Sequence, residues 1–277
     1  MSVRRVAALI GSPVEHSLSP VIHQAAFDAA DVPWSYAAFD VAAGHADAAL
    51  GAMRTLGLAG LSVTMPHKHD VAAAVDRLDA AAAALRSCNT VSWNGDELVG
   101  SSTDGAGLVA SLAEDGIDVA GTKVAVIGAG GAARSVIDAL GRAGAGSIRV
   151  VNRTPERAAS ACRLAAVAAV GDADDIARAD VVVNASSVGM GVDPSSARPD
   201  DLPCDPALFD PGQVVVDLVY HPLLTAWLAE AERAGARAVD GLGMLIHQAA
   251  LQQEIWLARR PDVRVMRRAA EEALAAR

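Results

Sequence analysis

Two charged residues, Lys68 and Asp104, each follow a short apolar run and could form a proton-transfer pair. Lys68 comes after AGLSVT and Asp104 after ELVGSST, and each begins a helical pattern. The C-terminal ends of strands are where α/β proteins place their active sites. Burial and a helix N-terminus would lower the pKa of the lysine and a nearby aspartate would raise it, which is how a lysine becomes an acid/base. Spacing alone supports this pairing weakly, because most lysines at helix starts are solvated.

Two histidines, His67 and His69, flank Lys68 and raise the alternatives of a metal site or a phosphate site. No spacing nearby implies a third metal ligand. Pro66 is expected to begin the helix, where residues two apart point in different directions. We therefore expect no metal here and expect both histidines to be solvated or structural.

A glycine-rich segment, KVAVIGAGGAARSVIDAL, has the strand, turn and helix of a dinucleotide-binding fingerprint. Gly128 would permit the tight turn, Gly130 the close approach of a pyrophosphate, and Ala133 close packing of helix on strand. The helix N-terminus would supply N–H groups and a positive dipole for the phosphates. An ordinary turn could match the glycines, but both flanking elements are present, so the segment predicts a cofactor site. Its further members are Ala129, Gly131 and Ala132.

The next strand, IRVVNRT, bears on the choice between NAD and NADP. An NAD site usually has a carboxylate here for the ribose hydroxyl, but this chain has Asn152, Arg153 and Thr154, followed by Arg157. Guanidinium groups attract a 2′-phosphate and bind it with paired hydrogen bonds. A capped helix start, with Thr154 as N-cap and Pro155 as the first helical residue, would also explain the segment, and both can hold. The segment favours NADP, and a nicotinamide cofactor implies hydride transfer.

Short β-branched runs alternate with helical patterns along most of the chain. This alternation predicts an α/β fold with parallel sheets, and runs such as VVV predict sheets covered on both faces. The Pro/Asp-rich segment 191–211 predicts a long surface loop, and the tail after 259 has a helical pattern expected to pack on the first domain. The predicted strands lie at 6–11, 34–41, 59–64, 123–128, 148–152, 181–185, 214–219 and 237–240.

The segment TVSWNGDELVG interrupts the alternation. Asn94-Gly95 predicts a type I′ hairpin, because both central positions of that turn need φ > 0. A cap and helix follow, so we place a domain boundary near residue 105. The expected domains are a substrate domain, 1–104 plus 241–277, and a cofactor domain, 105–240.

Composition narrows the class of protein. The chain has 277 residues, enough for about two domains of roughly 150 residues. The net charge of -10 argues against a broad nucleic-acid surface, and no apolar run reaches the roughly 20 residues of a membrane span. Cys88, Cys162 and Cys204 lie far apart, which predicts a reduced, cytoplasmic protein without a disulfide framework or zinc site.

Several short blocks resemble the shikimate dehydrogenase family, and they occur in the family's order from residue 11 to about 250. The blocks are GSPVEHSLSP, SVTMPHK, CNTVSW, STDG, GAGGAAR, NRTPER, NASSVGM and DGLGMLIHQA. The resemblance implies NADPH-dependent reduction of 3-dehydroshikimate to shikimate, without a metal, by a monomer or homodimer. It also implies an N-terminal α/β substrate domain and a Rossmann-type NADP-binding domain with a cleft between them.

The resemblance implies roles for the substrate-domain blocks. Lys68 and Asp104 match the catalytic pair, and Ser17 and Ser19 match the serines that hold the substrate carboxylate. Ser19-Pro20 also reads as an N-cap and first helical residue, so plain capping is the alternative. The remaining positions matching substrate contacts are Thr64, Asn89, Tyr220 and Gln248.

For the cofactor, the NRT block and Arg157 match the family's 2′-phosphate clamp, in agreement with the charge argument above. Gly241 and Met244 match positions near the nicotinamide. Further cofactor contacts are implied at Asn184, Ser186 and Val219.

Departures from the family pattern keep alternatives open. Many members have Asn where this chain has Ser62, which would loosen support of the Thr64 region, and the usual NATS is here NASS. A quinate or aminoshikimate dehydrogenase of the same family is the nearest alternative. Relatives preferring quinate tend to use NAD and to replace the second serine with threonine, so Ser19 and Arg153 argue against the quinate reading. A non-catalytic NADP sensor would need no Lys68, and a methylenetetrahydrofolate dehydrogenase would not explain HSLSP.

Overall fold

Two β-sheets organise the chain, one in each of two units. The computed structural model describes residues 5–276. One unit contains the chain up to Thr103 together with Ile246–Arg277, and the other is Asp104–Leu245. The second unit begins one residue before the predicted cofactor domain and ends five residues after it.

The first unit has a mixed sheet of six strands in the order β2-β1-β3-β5-β6-β4. β3 pairs antiparallel with β5, and β5 with β6, whereas the other pairings are parallel. The strands are β1 (Arg5–Gly11), β2 (Trp34–Asp40), β3 (Gly60–Val63), β4 (Arg77–Leu78), β5 (Thr90–Asn94) and β6 (Glu97–Ser101). Its helices are α1 (Ser19–Ala29), α2 (Ala46–Leu56), α3 (Lys68–Ala74) and α4 (Ala80–Leu85), with most of α10 (Leu242–Leu257) and all of α11 (Val263–Ala275).

Helices cover both faces of this sheet, which explains the apolar run in β1. Successive strand residues point to opposite faces. Ala8 and Ile10 join one buried cluster, and Ala7 and Leu9 join another. The tail helix α11 packs on α1 through the buried Met266 and Ala270, so the expected packing of the tail on the first domain is confirmed.

The second unit has a six-stranded, all-parallel sheet in the order β12-β11-β10-β7-β8-β9. The strand order reverses between β7 and β10, as in doubly wound nucleotide-binding folds, which bind ligands at that point. The strands are β7 (Lys123–Ile127), β8 (Ser147–Val151), β9 (Ala168–Val170), β10 (Val181–Asn184), β11 (Val214–Asp217) and β12 (Arg237–Val239). The helices are α5 (Asp104–Glu114), α6 (Gly131–Arg142), α7 (Pro155–Cys162), α8 (Ala173–Ala177) and α9 (Ala226–Arg233), with the start of α10.

The predicted strands are all present within two residues of the expected bounds, but several local predictions are wrong. Asn94 pairs with Glu97, so the hairpin loop is Gly95-Asp96, and only Gly95 has positive φ. This is the sign pattern of type II′, not type I′. The segment 191–211 is a loop as predicted, and it contains three short 3₁₀ turns.

Two predicted helix starts are also wrong. Ser19 is the first residue of α1 rather than its N-cap, so Pro20 stands second. Pro66 does not begin a helix, because α3 starts at Lys68. The helical pattern that begins at Lys68 ends at Ala74 and is followed by the short strand β4.

Candidate active site

Lys68 is held at the start of α3 by its two neighbouring histidines. His67 is fully buried, and its Nε2 lies 2.7 Å from the carbonyl oxygen of Val41. On the other side, His69 Nδ1 lies 2.7 Å from the carbonyl oxygen of Arg86. Both imidazoles therefore anchor the turn that presents Lys68. Among residues 5–276, no group of three or more His, Cys, Asp or Glu side chains could hold a metal ion.

Asn89 lies at the centre of a buried polar cluster in the first unit. Its Nδ2 donates to Thr103 Oγ1 at 2.9 Å and to Gln248 Oε1 at 3.3 Å. Its Oδ1 accepts from the Thr103 N–H at 2.9 Å, and Thr103 Oγ1 donates to the Gln248 carbonyl at 3.1 Å. The fold thus joins Asn89 and Gln248, two of the residues predicted to contact the substrate. Thr103, which the sequence did not single out, connects them, and its position beside Asp104 in the STDG block was the available signal.

The block GSPVEHSLSP, which contains Ser17 and Ser19, begins beside the turn that contains Thr64. The Ser12 N–H donates to the Met65 carbonyl at 2.9 Å. A Cβ on Gly11 would lie 2.2 Å from Thr64 Cγ2, so the glycine is required for this close approach. The two predicted carboxylate-binding serines end this segment at α1, where the Ser19 N–H donates to Ser17 Oγ at 3.2 Å. Hydroxyls and a helix N-terminus in one place suit an anion.

In the second unit, the glycine turn has the geometry that a bound pyrophosphate needs. Gly128 has φ 116°, and a Cβ there would lie 3.0 Å from the Ala185 carbonyl oxygen. A Cβ on Gly130 or Gly131 would meet nothing within 4 Å, so the space before α6 is open. Ala133 is fully buried in the core, as close packing of helix on strand requires. The residues present therefore fit a dinucleotide phosphate.

Two exposed guanidinium groups follow β8. Thr154 is the N-cap residue of α7, as predicted, and Asn152 Nδ2 fixes the turn by donating to the Thr154 carbonyl at 2.9 Å. Arg153 and Arg157 are exposed on either side of it. Within the part of the chain that the structure describes, neither arginine forms an ion pair with a carboxylate. Their charge is available to an anion such as a 2′-phosphate.

The ends of β10 and β11 are joined by a buried carboxylate that the sequence did not identify. Asp217 Oδ1 accepts from Asn184 Nδ2 at 2.8 Å and from the Val219 N–H at 3.0 Å, while Oδ2 accepts from Thr225 Oγ1 at 2.8 Å. Burial raises the pKa of the Asp217 carboxyl, against the opposing effect of these hydrogen bonds. The DLVY segment carried this aspartate, but an isolated Asp at a strand end has no distinctive spacing.

This network changes the expected contribution of Asn184. Its Nδ2 also donates to the Val188 carbonyl at 3.3 Å, and its Oδ1 accepts from both the N–H and the hydroxyl of Ser186. An asparagine side chain can donate two hydrogens and accept two. Each of these hydrogen bonds is to another part of the protein, so Asn184 shapes the loop that carries Ser186, and its own contact with the cofactor stays a prediction.

The remaining predicted residues are distributed as follows. Tyr220 is half-buried just after β11 in the second unit, and Met244 packs against that unit's core. A Cβ on Gly241 would lie 2.4 Å from a backbone carbonyl oxygen, so only glycine fits there. Asp104 is the first residue of α5 and belongs to the second unit, whereas Lys68 belongs to the first. Their catalytic pairing stays a prediction.

No described helix combines the length and the apolar character needed to cross a membrane. The described cysteines, at 88, 162 and 204, are free thiols.

Family models match three parts of the chain. Residues 9–91 match the shikimate dehydrogenase substrate binding domain. Residues 111–191 match shikimate / quinate 5-dehydrogenase, and residues 241–271 match the shikimate 5′-dehydrogenase C-terminal domain.

Individual relatives match over nearly the whole length. A shikimate dehydrogenase (NADP(+)) of Moorella thermoacetica is 43% identical, over 98% of this chain and 94% of its own. A crystal structure of a shikimate dehydrogenase in complex with NADP+ has a TM-score of 0.91 and 33% identity, covering 98% of this chain and 96% of that one. The Thermus thermophilus shikimate 5-dehydrogenase in complex with NADP(H) and shikimate has a TM-score of 0.89 and 34% identity, covering 97% and 99%.

Proposed function

The chain belongs to the shikimate dehydrogenase family, and we propose from this that it catalyses the reversible NADPH-dependent reduction of 3-dehydroshikimate to shikimate. The observation that carries the proposal is the buried cluster of Asn89, Thr103 and Gln248. Neutral hydrogen-bonding groups of this kind suit a polyhydroxylated ring. Asn89 lies in the part of the chain that matches a substrate binding domain, and Gln248 lies in the part that matches the C-terminal domain.

For the cofactor, we assign NADP(H) to the second unit. When bound, the cofactor supplies or accepts the hydride. The turn at Gly128, Gly130 and Gly131 leaves open space at the N-terminus of α6 for the pyrophosphate. The unpaired guanidinium groups of Arg153 and Arg157 favour NADP over NAD, because they would bind a 2′-phosphate that a carboxylate would repel.

For the substrate, we assign its carboxylate to Ser17 and Ser19, whose hydroxyls share one helix N-terminus. The ring hydroxyls are assigned to Thr64, Asn89 and Gln248. Tyr220 completes the proposed set.

For the chemistry, we assign the proton to Lys68. In the reductive direction, its ammonium group gives a proton to the alkoxide that forms at C3 as hydride arrives, and in the oxidative direction the neutral amine takes that proton back. Asp104 is assigned to support the charged form of Lys68 and to bind a hydroxyl, as the motif match implies. The reaction consumes one hydride and one proton per ketone, and no metal enters it.

The test is a steady-state comparison of shikimate and quinate, each with NADP and with NAD. The proposal expects the highest kcat/KM for shikimate with NADP. A higher kcat/KM for quinate with NAD would favour the quinate branch of the family, and binding of NADP without turnover of either substrate would favour a sensor.

We also propose a cytoplasmic location and a monomer or homodimer. The free thiols support a reducing compartment. Light scattering on the purified chain tests the oligomeric state.

A further inference from the structure

A buried chain of hydrogen bonds connects α10 to the residue at the centre of the proposed substrate site. Gln252 lies one helical turn after Gln248 and is 2% exposed. Its Nε2 donates to the carbonyl oxygen of Asn89 at 3.1 Å. Its Oε1 lies 2.6 Å from Ser62 Oγ and 3.2 Å from His23 Nε2. One side chain therefore joins α1, β3 and the segment that precedes β5.

The direction of each hydrogen bond in this network follows from which groups can only accept or only donate. A backbone carbonyl only accepts, so Gln252 must turn its Nε2 to it and its Oε1 to Ser62 and His23. Ser62 gives its one hydrogen to Gln252, so the Tyr36 hydroxyl donates to Ser62, at 2.6 Å. His23 donates through Nε2, so its Nδ1 accepts, and Gln253 Nε2 lies 3.1 Å from it. The network therefore has a single arrangement of hydrogen-bond donors and acceptors, and it resists rearrangement.

The side chains of this hydrogen-bonded network are also uncharged. Burial lowers the pKa of His23 to about 3. The imidazole stacks on the Tyr36 ring, with centroids 4.3 Å apart and planes inclined by 4°. A protonated His23 would point a hydrogen at the Gln253 amide, which is already a donor. The arrangement therefore persists across the neutral pH range.

Asn89 is held from several sides. The N–H of Val63 donates to its carbonyl at 2.8 Å, and Gln248 and Thr103 hold its side chain. The hydrogen bond from Gln252 fixes the same carbonyl from α10. Without it, the Asn89 peptide could tilt, and its side-chain amide would move with it.

We infer that Gln252 is a positioning residue for substrate binding, because it sets the place and orientation of the Asn89 amide. This inference rests on the proposed function, which assigns a ring hydroxyl to Asn89. In this role Gln252 acts through Asn89 and needs no contact of its own with substrate or cofactor.

The test replaces Gln252 with methionine, which has similar length and no hydrogen-bonding hydrogen. We expect KM for shikimate to rise roughly 3- to 10-fold, the equilibrium effect of one hydrogen bond. The kcat of the reaction and the KM for NADP should each change by less than about twofold. A purely structural role would lower the melting temperature and leave KM for shikimate unchanged.

The decisive arm repeats Gln252→Met in an Asn89→Ala background. If Gln252 acts through the Asn89 amide, the rise in KM should disappear there. Gln253→Met is the matched control, because it removes the donor to His23 Nδ1 and leaves the bond from Gln252 to Asn89 intact. It should lower the melting temperature with little change in KM.

An equal rise in KM in both backgrounds, or an equal rise in the control, would overturn the inference. If Gln252→Met does not fold, Ser62→Ala takes its place, since it removes a donor to Oε1 and should raise KM in the same direction by less. Wild-type protein that fails to oxidise shikimate with NADP would instead refute the proposed function. A wild-type KM in Gln252→Met, with active wild-type enzyme, would refute only the positioning role.

Discussion

Replacing Asp217 with alanine should unfold the strand ends of the second unit. The change removes the acceptor of three buried donors, on Asn184, Val219 and Thr225. A buried donor left without a partner costs about 1–3 kcal/mol. The Asn184 amide keeps its hydrogen bond to the Val188 carbonyl, so the free-energy cost at Asn184 lies at the low end of this range. The sum is roughly 3–7 kcal/mol, a large part of the ~5–15 kcal/mol that stabilises a typical domain.

Asparagine at the same position should be tolerated, and increasingly so as the pH rises. Its Oδ1 can still accept from Asn184 and Val219, so the main loss is the bond from Thr225. Burial raises the pKa of the Asp217 carboxyl above its unfolded-state value. The stability that this group contributes is thus present below the unfolded pKa and is lost as pH rises through the folded pKa. Asp217→Asn lacks this titration, so its stability relative to wild type should increase from about pH 4 to pH 7.

The assay should report on the second unit alone, because two units need not unfold together. Hydrogen exchange followed by mass spectrometry on peptides from β10 and β11 gives such a local free energy. We expect fast exchange in Asp217→Ala and near-native exchange in Asp217→Asn at pH 7. Native exchange in the alanine variant would refute the acceptor argument. Loss of protection in the asparagine variant that grows as the pH rises would refute the burial argument.

Further variants test the proposed reaction. Lys68→Ala should lower kcat by roughly 10²- to 10⁴-fold, the range for loss of a general acid, with shikimate affinity by calorimetry nearly intact; a wild-type rate would remove the acid/base role. Arg153→Ala should raise KM for NADP far more than KM for NAD, while the control Arg163→Ala, at the other end of α7, should change neither; equal effects on the two cofactors would contradict the clamp. Ser17→Ala should weaken shikimate binding through the carboxylate, so the loss should shrink for an analogue lacking that group, and an undiminished loss would exclude the contact.

Strands were predictable where they are long or fully buried. The runs that became β1, β7, β10 and β11 are apolar because helices cover both faces of each sheet. The sequence missed β4, which has two residues, and β9, whose AAV has no contrast with its alanine-rich surroundings. The helix starts at 19 and 68 were predicted one residue late and two residues early. A proline can stand inside the first turn, as Pro20 does, or before the helix, as Pro66 does, and local sequence does not choose between these positions.

The site was predictable only in its motifs. The Gly128 turn and the NRT segment are local, so their geometry follows from adjacent residues. The contacts that organise the polar cluster around Asn89 are not local, since Asn89 meets Gln248 across 159 positions and His23 meets Gln253 across 230. Such pairs have no spacing to recognise. The resemblance supplied Asn89 and Gln248, and it was silent about Gln252 and Asp217, whose hydrogen bonds go to other residues of the protein.

The division of the first unit between the two ends of the chain has a consequence for synthesis. Its sheet and α1 leave the ribosome before the second unit, whereas α10 and α11, which cover α1, leave after it. At ~5–20 residues per second, the interval is on the order of ten seconds, during which the whole second unit can fold. Until then the buried His23 and Phe27 of α1 lack their cover. A nascent chain can therefore complete its second unit before its first, and one that stops before α10 carries an exposed apolar face for chaperones or proteases to recognise.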